Sequence, residues 1–60
     1  MDVLIADDNP MARRLVRALF ESDPAFHVCG EAENGLEGLE KAVELRPGLI
    51  VMDLAMPVMK

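Results

Sequence analysis

The sequence has 60 residues, is 52% apolar, carries a formal net charge of -5 and contains one cysteine. This length allows at most one small domain, which buries only about 60% of its unfolded surface, and one cysteine forms neither an internal disulfide nor a zinc ligand set. The acidic balance argues against direct nucleic-acid binding, and neither a secretory signal nor a membrane span is visible, so a cytoplasmic protein is expected.

The chain opens with an apolar run, residues 1–7, typical of a strand buried on both faces. Asp8 or Asn9 is predicted to cap a helix, with Pro10 at its first position, where the missing N–H costs nothing. Apolar residues then recur on one arc at about 100° per residue: Met11, Ala12, Leu15, Val16, Ala18, Leu19 and Phe20. The remaining helical positions are Arg13, Arg14, Arg17 and Glu21. This pattern predicts an amphipathic helix whose arginines form a solvated face.

The segment Ser22-Asp23-Pro24 is predicted to end this helix, because the residue before a proline is pushed out of helical space. Residues 26–31 then alternate as in a strand. One side would carry Phe26, Val28 and Gly30, and the other, more polar side His27, Cys29 and Glu31. That polarity predicts a strand at the edge of a sheet.

A second helix is predicted to begin after Asn34, which can cap it. Its apolar face would carry Leu36, Leu39, Ala42 and Val43, and its opposite face Glu37, Glu40, Lys41 and Glu44. Glu37 and Lys41 are spaced as an i,i+4 ion pair. Pro47-Gly48 stops the helix, residues 49–53 form a third strand, and a loop containing Pro57 follows.

The order strand, helix, strand, helix, strand predicts an α/β fold with parallel strands and right-handed crossovers. Two sheet orders are compatible with it, 3-2-1 and 2-1-3. The polar second strand and the two apolar outer runs favour 2-1-3, with the first strand in the centre. Open sheets of this type bind ligands where the strand order reverses, outside the carboxyl ends of the strands.

Three aspartates lie at that predicted reversal. Asp7 and Asp8 close the first strand and Asp53 closes the third. Each alone has an ordinary role as a helix cap or a strand end. Together they would repel, at roughly 4 kcal/mol for each pair about 4 Å apart in an effective dielectric near 20. A hard cation with oxygen ligands offsets such repulsion, so the sequence predicts a metal pocket.

These residues resemble the receiver domain of bacterial two-component response regulators. The resemblance rests on the acidic pair, on Asp53 followed by Leu54-Ala55-Met56-Pro57-Val58-Met59, and on residues 31–35 and 46–51. It covers the whole chain and is most similar to regulators that carry a helix-turn-helix DNA-binding output. It implies a flavodoxin-like fold truncated to βαβαβ, with residues 1–60 as the amino-terminal half of the domain.

The resemblance also implies a function and its residues. Asp53 would accept a phosphoryl group from a sensor histidine kinase, with Mg²⁺ as the cofactor. Asp8 would ligate Mg²⁺ directly and Asp7 mostly through water, with Asp53 and the carbonyl of Ala55 as further ligands. Mg²⁺ neutralises the charge on the transferring group, and the carboxylate nucleophile becomes an acyl phosphate.

Residues 1–60 lack the hydroxyl, the switch aromatic and the lysine that the family places on its later strands, so impaired activity is expected. The third strand would be an apolar edge beside bare sheet, which predicts a homo-oligomer through that strand or that face. The alternative function is a non-catalytic half-fold interaction module. A phosphohydrolase is less favoured, because haloacid-dehalogenase-like enzymes need an Asp-x-Asp after their first strand. The chain is thus expected to be a signalling domain rather than an enzyme.

Overall fold

The computed structural model describes residues 1–53. Its elements are β1 (Asp2–Ala6), α1 (Pro10–Glu21), β2 (His27–Ala32), α2 (Gly35–Leu45) and β3 (Leu49–Met52). The strands form one parallel sheet in the order β2-β1-β3. This order confirms the predicted βαβαβ fold and selects 2-1-3 over 3-2-1. No helix within these residues has the length and apolar character needed to cross a membrane.

The central strand β1 carries the core of the described residues. Val3, Leu4, Ile5 and Ala6 are all at most 1% exposed. Val3 and Ile5 pack with α1 on one side of the sheet, whereas Ala6 lies beneath α2 on the other. A strand covered on both faces needs an uninterrupted apolar run, so the prediction for this segment is confirmed.

The edge strand β2 does not alternate as the sequence predicted. Its register with β1 skips Cys29, which lies between the paired positions Val28 and Gly30. Val28 packs in the cluster on the α1 side, whereas Gly30 faces Leu45 of α2. One extra residue in a strand reverses the alternation beyond it. The assignment of Val28 and Gly30 to one side was therefore wrong, and Glu31 lies on the α1 side.

Helix α1 begins and ends at the predicted signals. Asn9, rather than Asp8, is its N-cap, and its Oδ1 accepts hydrogen bonds from two N–H groups of the first turn at 2.9 and 3.2 Å. Pro10 is the first helical residue, and Ser22 is the C-cap after Glu21. An amide oxygen at this position satisfies donors that have no partner within the helix.

The sequence predicted that the arginines of α1 form a solvated face, and this was only partly correct. Arg14 is exposed, but Arg13 and Arg17 are half-buried between the helix and β2. The apolar arc is divided accordingly. Val16 and Phe20 pack toward the sheet, whereas the large apolar residues Met11, Leu15 and Leu19 of the helix are exposed.

Helix α2 is capped by Asn34 as predicted, with the Asn34 Oδ1 accepting from the N–H of Glu37 at 2.8 Å. The helix packs on the sheet through Gly38, which is buried, and through Leu45. The predicted apolar face is therefore not the packing face. Its large members Leu36, Leu39 and Val43 are exposed.

Candidate metal site

The carboxyl ends of β1 and β3 bring two acidic residues together at one end of the sheet. The N–H of Asp7 donates to the carbonyl of Ala32 at 2.9 Å, which aligns the end of β1 with the end of β2. The N–H of Asp53 donates to the carbonyl of Ala6 at 3.0 Å, which aligns β3 with β1. The pairing therefore places Asp7 and Asp53 at the point where the strand order reverses.

Asp7, Asp8 and Asp53 form an acidic cluster at this reversal. One carboxylate oxygen from each residue lies within 4.8 Å of the others. Asp7 and Asp53 are half-buried, and Asp8 is exposed. The convergence expected from strand order is thus observed. Their roles as ligands stay a prediction, and Ala55 and the loop containing Pro57 lie outside the described residues.

The donor set of the acidic cluster fits a hard divalent cation. Carboxylate oxygens are the ligands that Mg²⁺ and Ca²⁺ prefer, and Mg²⁺ binds through one or two carboxylates while keeping several waters. Three carboxylates this close repel in the absence of a cation. A cation that bridges them would remove that repulsion, so the cluster is chemically suited to Mg²⁺.

The backbone and side chain of Asp7 are held by the start of α1. Its Oδ1 accepts a hydrogen bond from the N–H of Asn9 at 2.9 Å. Its carbonyl accepts a hydrogen bond from Nη1 of Arg13 at 2.7 Å. The turn that carries Asp7 and Asp8 is therefore fixed by side-chain contacts as well as by the sheet.

An ion-pair network beside the acidic cluster was not foreseen from the sequence. Nε of Arg13 donates to Oε1 of Glu31 at 2.8 Å, and Nη1 of Arg17 donates to Oε2 of the same carboxylate. Arg17 also pairs with Glu21 at 3.3 Å. The sequence did contain a signal, because two arginines four residues apart on one helix can both reach the same carboxylate. It could not show that this carboxylate belongs to Glu31 on β2.

The network shifts the pKa values of two of its members. Burial raises the pKa of Glu31, but the hydrogen bonds from Arg17 and Arg13 together outweigh it, and the pKa is lowered from its ordinary value. The hydrogen bonds to Glu31 and Glu21 raise the pKa of Arg17. Both shifts favour the charged forms, so the pairs are ionised at neutral pH.

Lys41 reaches the same residue of β2 from the other side of the sheet. Its Nζ donates to the carbonyl of Glu31 and pairs with Oε1 of Glu37 at 3.2 Å. The i,i+4 pair predicted for α2 is therefore confirmed. Lys41 also ties α2 to the edge strand, a role that helical periodicity alone does not indicate.

A comparison with protein families matches the sequence to a family profile. The profile described as "Response regulator receiver domain" matches residues 3–60. This range contains the acidic cluster and both helices. It accounts for nearly the whole chain.

Similar curated proteins are much longer than this chain. A protein-glutamate methylesterase/protein-glutamine glutaminase 3 from Paramagnetospirillum magneticum is 51% identical over 59 residues, which is 98% of this chain and 17% of that protein. A protein-glutamate methylesterase/protein-glutamine glutaminase 4 from Myxococcus xanthus is 49% identical over 95% of this chain and 16% of that protein. The chain therefore spans about a sixth of the length of these relatives.

Solved structures share the fold. The response regulator domain of Thermotoga maritima CheB superposes with a TM-score of 0.92 at 42% identity, over 95% of this chain and 42% of that chain. RcsB from Salmonella enterica serovar Typhimurium, bound to promoter rprA in the presence of phosphomimetic BeF3-, superposes with a TM-score of 0.88 at 32% identity. That match covers 95% of this chain and 28% of RcsB.

Proposed function

Because the chain belongs to the response regulator receiver domain family, we propose that it is a phosphoacceptor module in which Asp53 takes a phosphoryl group from a sensor histidine kinase. Residues 1–60 would supply the amino-terminal half of the receiver domain, in the cytoplasm. The observation that carries this proposal is the convergence of Asp7, Asp8 and Asp53 within 4.8 Å at the strand-order reversal.

The position and the chemistry of Asp53 support a role as the acceptor. This residue follows β3 directly, and its N–H donates a hydrogen bond to the carbonyl of Ala6, which holds its backbone beside the carboxyl end of β1. One carboxylate oxygen would attack the phosphorus of a phosphohistidine, and the P–N bond would break with its electron pair passing to the imidazole nitrogen. The product on this chain is an acyl phosphate.

The two other carboxylates would hold Mg²⁺ in this proposal. Asp8 is exposed and would be a direct ligand. The Oδ1 of Asp7 already accepts the N–H of Asn9, which supports a role for Asp7 mainly through a water. Asp53 and the carbonyl of Ala55 would complete the protein ligands. When bound, Mg²⁺ supplies charge neutralisation for the approach of an anionic acceptor to an anionic donor.

The test is phosphorylation by a small donor. The chain is incubated with acetyl phosphate and Mg²⁺, and intact-mass spectrometry measures the fraction that gains one phosphoryl group. The parent chain is expected to be labelled and Asp53→Asn to remain unlabelled. The control is Asp2→Asn, at the opposite end of β1, which is expected to be labelled to the same extent as the parent chain.

The response regulator domain of T. maritima CheB serves as the positive control for the same assay. Labelling of that domain with none of this chain would contradict the acceptor function. A smaller labelled fraction than in that domain is expected, because activity of residues 1–60 alone is predicted to be impaired.

The activities in the names of the relatives are not carried over to this chain. The match covers about a sixth of each methylesterase/glutaminase, and RcsB matches through 28% of its length. Each match covers almost all of this chain, which is a receiver domain, but only a minor part of the other protein. The absence of an enzymatic activity and the helix-turn-helix output both stay predictions.

A second candidate function is a non-catalytic interaction module. Exposed apolar side chains favour it: Met11, Leu15, Leu19, Leu36, Leu39, Val43, Ile50 and Met52. Asp53→Ala separates the two functions when Mg²⁺ binding and assembly are measured on the same sample. If Asp53→Ala loses Mg²⁺ binding but assembles as the parent chain does, the acceptor function is supported. If the parent chain itself binds no Mg²⁺ and the substitution leaves assembly unchanged, the interaction module is supported.

A further inference from the structure

We propose that Arg13 is a positioning residue for the acidic cluster and acts through the main chain of Asp7. This role rests on the Mg²⁺ site of the proposed function. Arg13 does not itself supply a ligand atom. Its side chain is 19% exposed and bridges the β1–α1 turn to Glu31 on β2.

The contact that matters is the hydrogen bond from Nη1 of Arg13 to the carbonyl of Asp7, at 2.7 Å. That carbonyl belongs to the same planar peptide unit as the N–H of Asp8. Fixing the carbonyl therefore fixes the plane from which the Cα of Asp8 departs. Asp8 is exposed, and the direction of its carboxylate depends on the backbone of this turn.

Two further hydrogen bonds hold the other groups of Asp7. Its N–H donates to the carbonyl of Ala32 at 2.9 Å, and its Oδ1 accepts from the N–H of Asn9 at 2.9 Å. The carbonyl is thus the third polar group of this residue, and Arg13 is the residue that holds it. Without that contact the Asp7–Asp8 peptide can rotate while its ends stay fixed.

Glu31 orients the guanidinium of Arg13 toward the carbonyl of Asp7. Nε of Arg13 donates to Oε1 of Glu31 at 2.8 Å while Nη1 donates to Asp7, so two edges of one rigid planar group are used at once. A guanidinium without this partner would be attracted to the carboxylates of the acidic cluster and would compete with a cation there. The ion pair therefore holds the turn without neutralising the cluster.

The chain supplies two matched controls on the same helix. Arg17 donates to the same carboxylate of Glu31 and pairs with Glu21. Its substitution removes one charge and weakens the α1–β2 network while leaving the Arg13–Asp7 contact. Arg14 is exposed, and its substitution removes one charge from the position next to Arg13.

Loss of charge and loss of the positioning contact are expected to change the Mg²⁺ affinity in opposite directions. Removing a positive charge near three carboxylates strengthens cation binding by electrostatics alone. Losing the positioning contact weakens it, and removing a residue that orients metal ligands typically costs 10–100-fold in affinity. Arg13→Gln is therefore expected to weaken Mg²⁺ binding about 10-fold, whereas Arg14→Gln and Arg17→Gln leave it equal or tighter.

The experiment is a calorimetric titration of the full chain and the three variants with MgCl₂, with circular dichroism to confirm that each is folded. Weaker binding in Arg13→Gln alone supports the proposal. Equal binding in Arg13→Gln and Arg17→Gln overturns the positioning role and leaves the proposed function intact. A parent chain that binds no Mg²⁺ overturns both.

If Arg13→Gln does not fold, Arg13→Lys replaces it. An ammonium keeps the charge but lacks the planar fork that contacts Asp7 and Glu31 together. Its Mg²⁺ affinity is expected to fall below that of Arg14→Lys, which makes the same chemical change at the exposed neighbour. Equal affinity in the two lysine variants overturns the proposal.

Discussion

Glu31 of the edge strand makes polar contacts with both helices. Its carboxylate accepts hydrogen bonds from Arg13 and Arg17 of α1, and its carbonyl accepts one from Lys41 of α2. The carboxylate is half-buried, so its ion pairs are less screened by water than those of a fully exposed pair. The stability of the α1–β2 packing should therefore depend on the charge of this one side chain.

Replacing Glu31 with Gln should lower the free energy of unfolding by roughly 1–2 kcal/mol at neutral pH, because charge-assisted hydrogen bonds are lost at a partly exposed site. The pKa of Glu31 is lowered in the folded state. Its contribution is therefore complete above the ordinary glutamate pKa of about 4.3 and is lost as the pH falls through the lower folded value. Denaturant unfolding across this range should show the gap between parent and variant closing in acid.

The control for this pH dependence is Glu40→Gln, since Glu40 is exposed on α2. Its difference from the parent should be small at every pH. A gap between the parent and Glu31→Gln that keeps its size from neutral to acid pH would contradict the role given to the Glu31 charge.

The acidic cluster should make the stability of the chain depend on Mg²⁺. Asp8→Asn removes one of three neighbouring carboxylates, so in EDTA its thermal midpoint should lie at or above that of the parent. With Mg²⁺ at about 100 times its Kd the parent should gain about 2.7 kcal/mol, because the ion binds the folded state. The variant should gain much less, and the order of the two midpoints should reverse.

Asp2→Asn is the control for that experiment, because it removes one carboxylate at the far end of β1. Its midpoint should rise with Mg²⁺ as that of the parent does. The same Mg²⁺-dependent rise in Asp8→Asn as in the parent would show that Asp8 is not a ligand.

Convergence of the acidic residues could be predicted from the sequence, but their supporting contacts could not. Asp7, Asp8 and Asp53 each follow a strand, and strand order alone brings their ends together. Arg13 is different, because its partner Glu31 lies 18 residues away on another element. Side-chain pairing at that distance depends on register, which helical periodicity does not specify.

Among the elements, strand and helix identities were predictable, whereas the packing faces were not. Apolar runs and capping signals identified all five elements of the described chain. The bulge at Cys29 then reversed the alternation of β2. Helix α2 packs on the sheet through Gly38 rather than through its leucines. A glycine adds nothing to an apolar pattern, yet the absence of a side chain larger than a methyl group at this position lets the helix lie close to the sheet.

Gly38 offers a test of this packing. A Cβ at Gly38 would lie 3.6 Å from the Cβ of Ala6 and 3.8 Å from the Cβ of Ala32, which is ordinary contact. Gly38→Ala should therefore raise the free energy of unfolding by about 0.5–1 kcal/mol through helix propensity. Chemical denaturation measures this difference.

Gly30→Ala is the contrasting variant. A Cβ there would lie 2.9 Å from Cδ1 of Leu45, which would have to move. This variant is expected to gain no stability. Destabilisation by Gly38→Ala would contradict the close but unstrained packing of α2 on the sheet.

At the scale of the whole molecule, the described residues leave apolar surface on α1, α2 and β3 exposed. Helix α2 packs on β2 and β1, while Ile50 and Met52 of β3 are 43% and 46% exposed. Within residues 1–53, β3 is also an edge of the sheet. An apolar edge strand presents backbone hydrogen-bonding groups and side chains that a second chain can cover.

Self-association of the 60-residue chain is therefore expected to increase with concentration and to involve β3. Ile50→Lys places a charge on the exposed side of this edge strand and should shift sedimentation toward the monomer, because a charged edge opposes strand pairing. Leu19→Lys makes the same change of charge on the exposed surface of α1 and should leave association unchanged. Sedimentation velocity over a concentration series distinguishes the two surfaces. A parent chain that stays monomeric at the highest concentration would contradict self-association, and a larger effect of Leu19→Lys would assign it to α1 instead of β3.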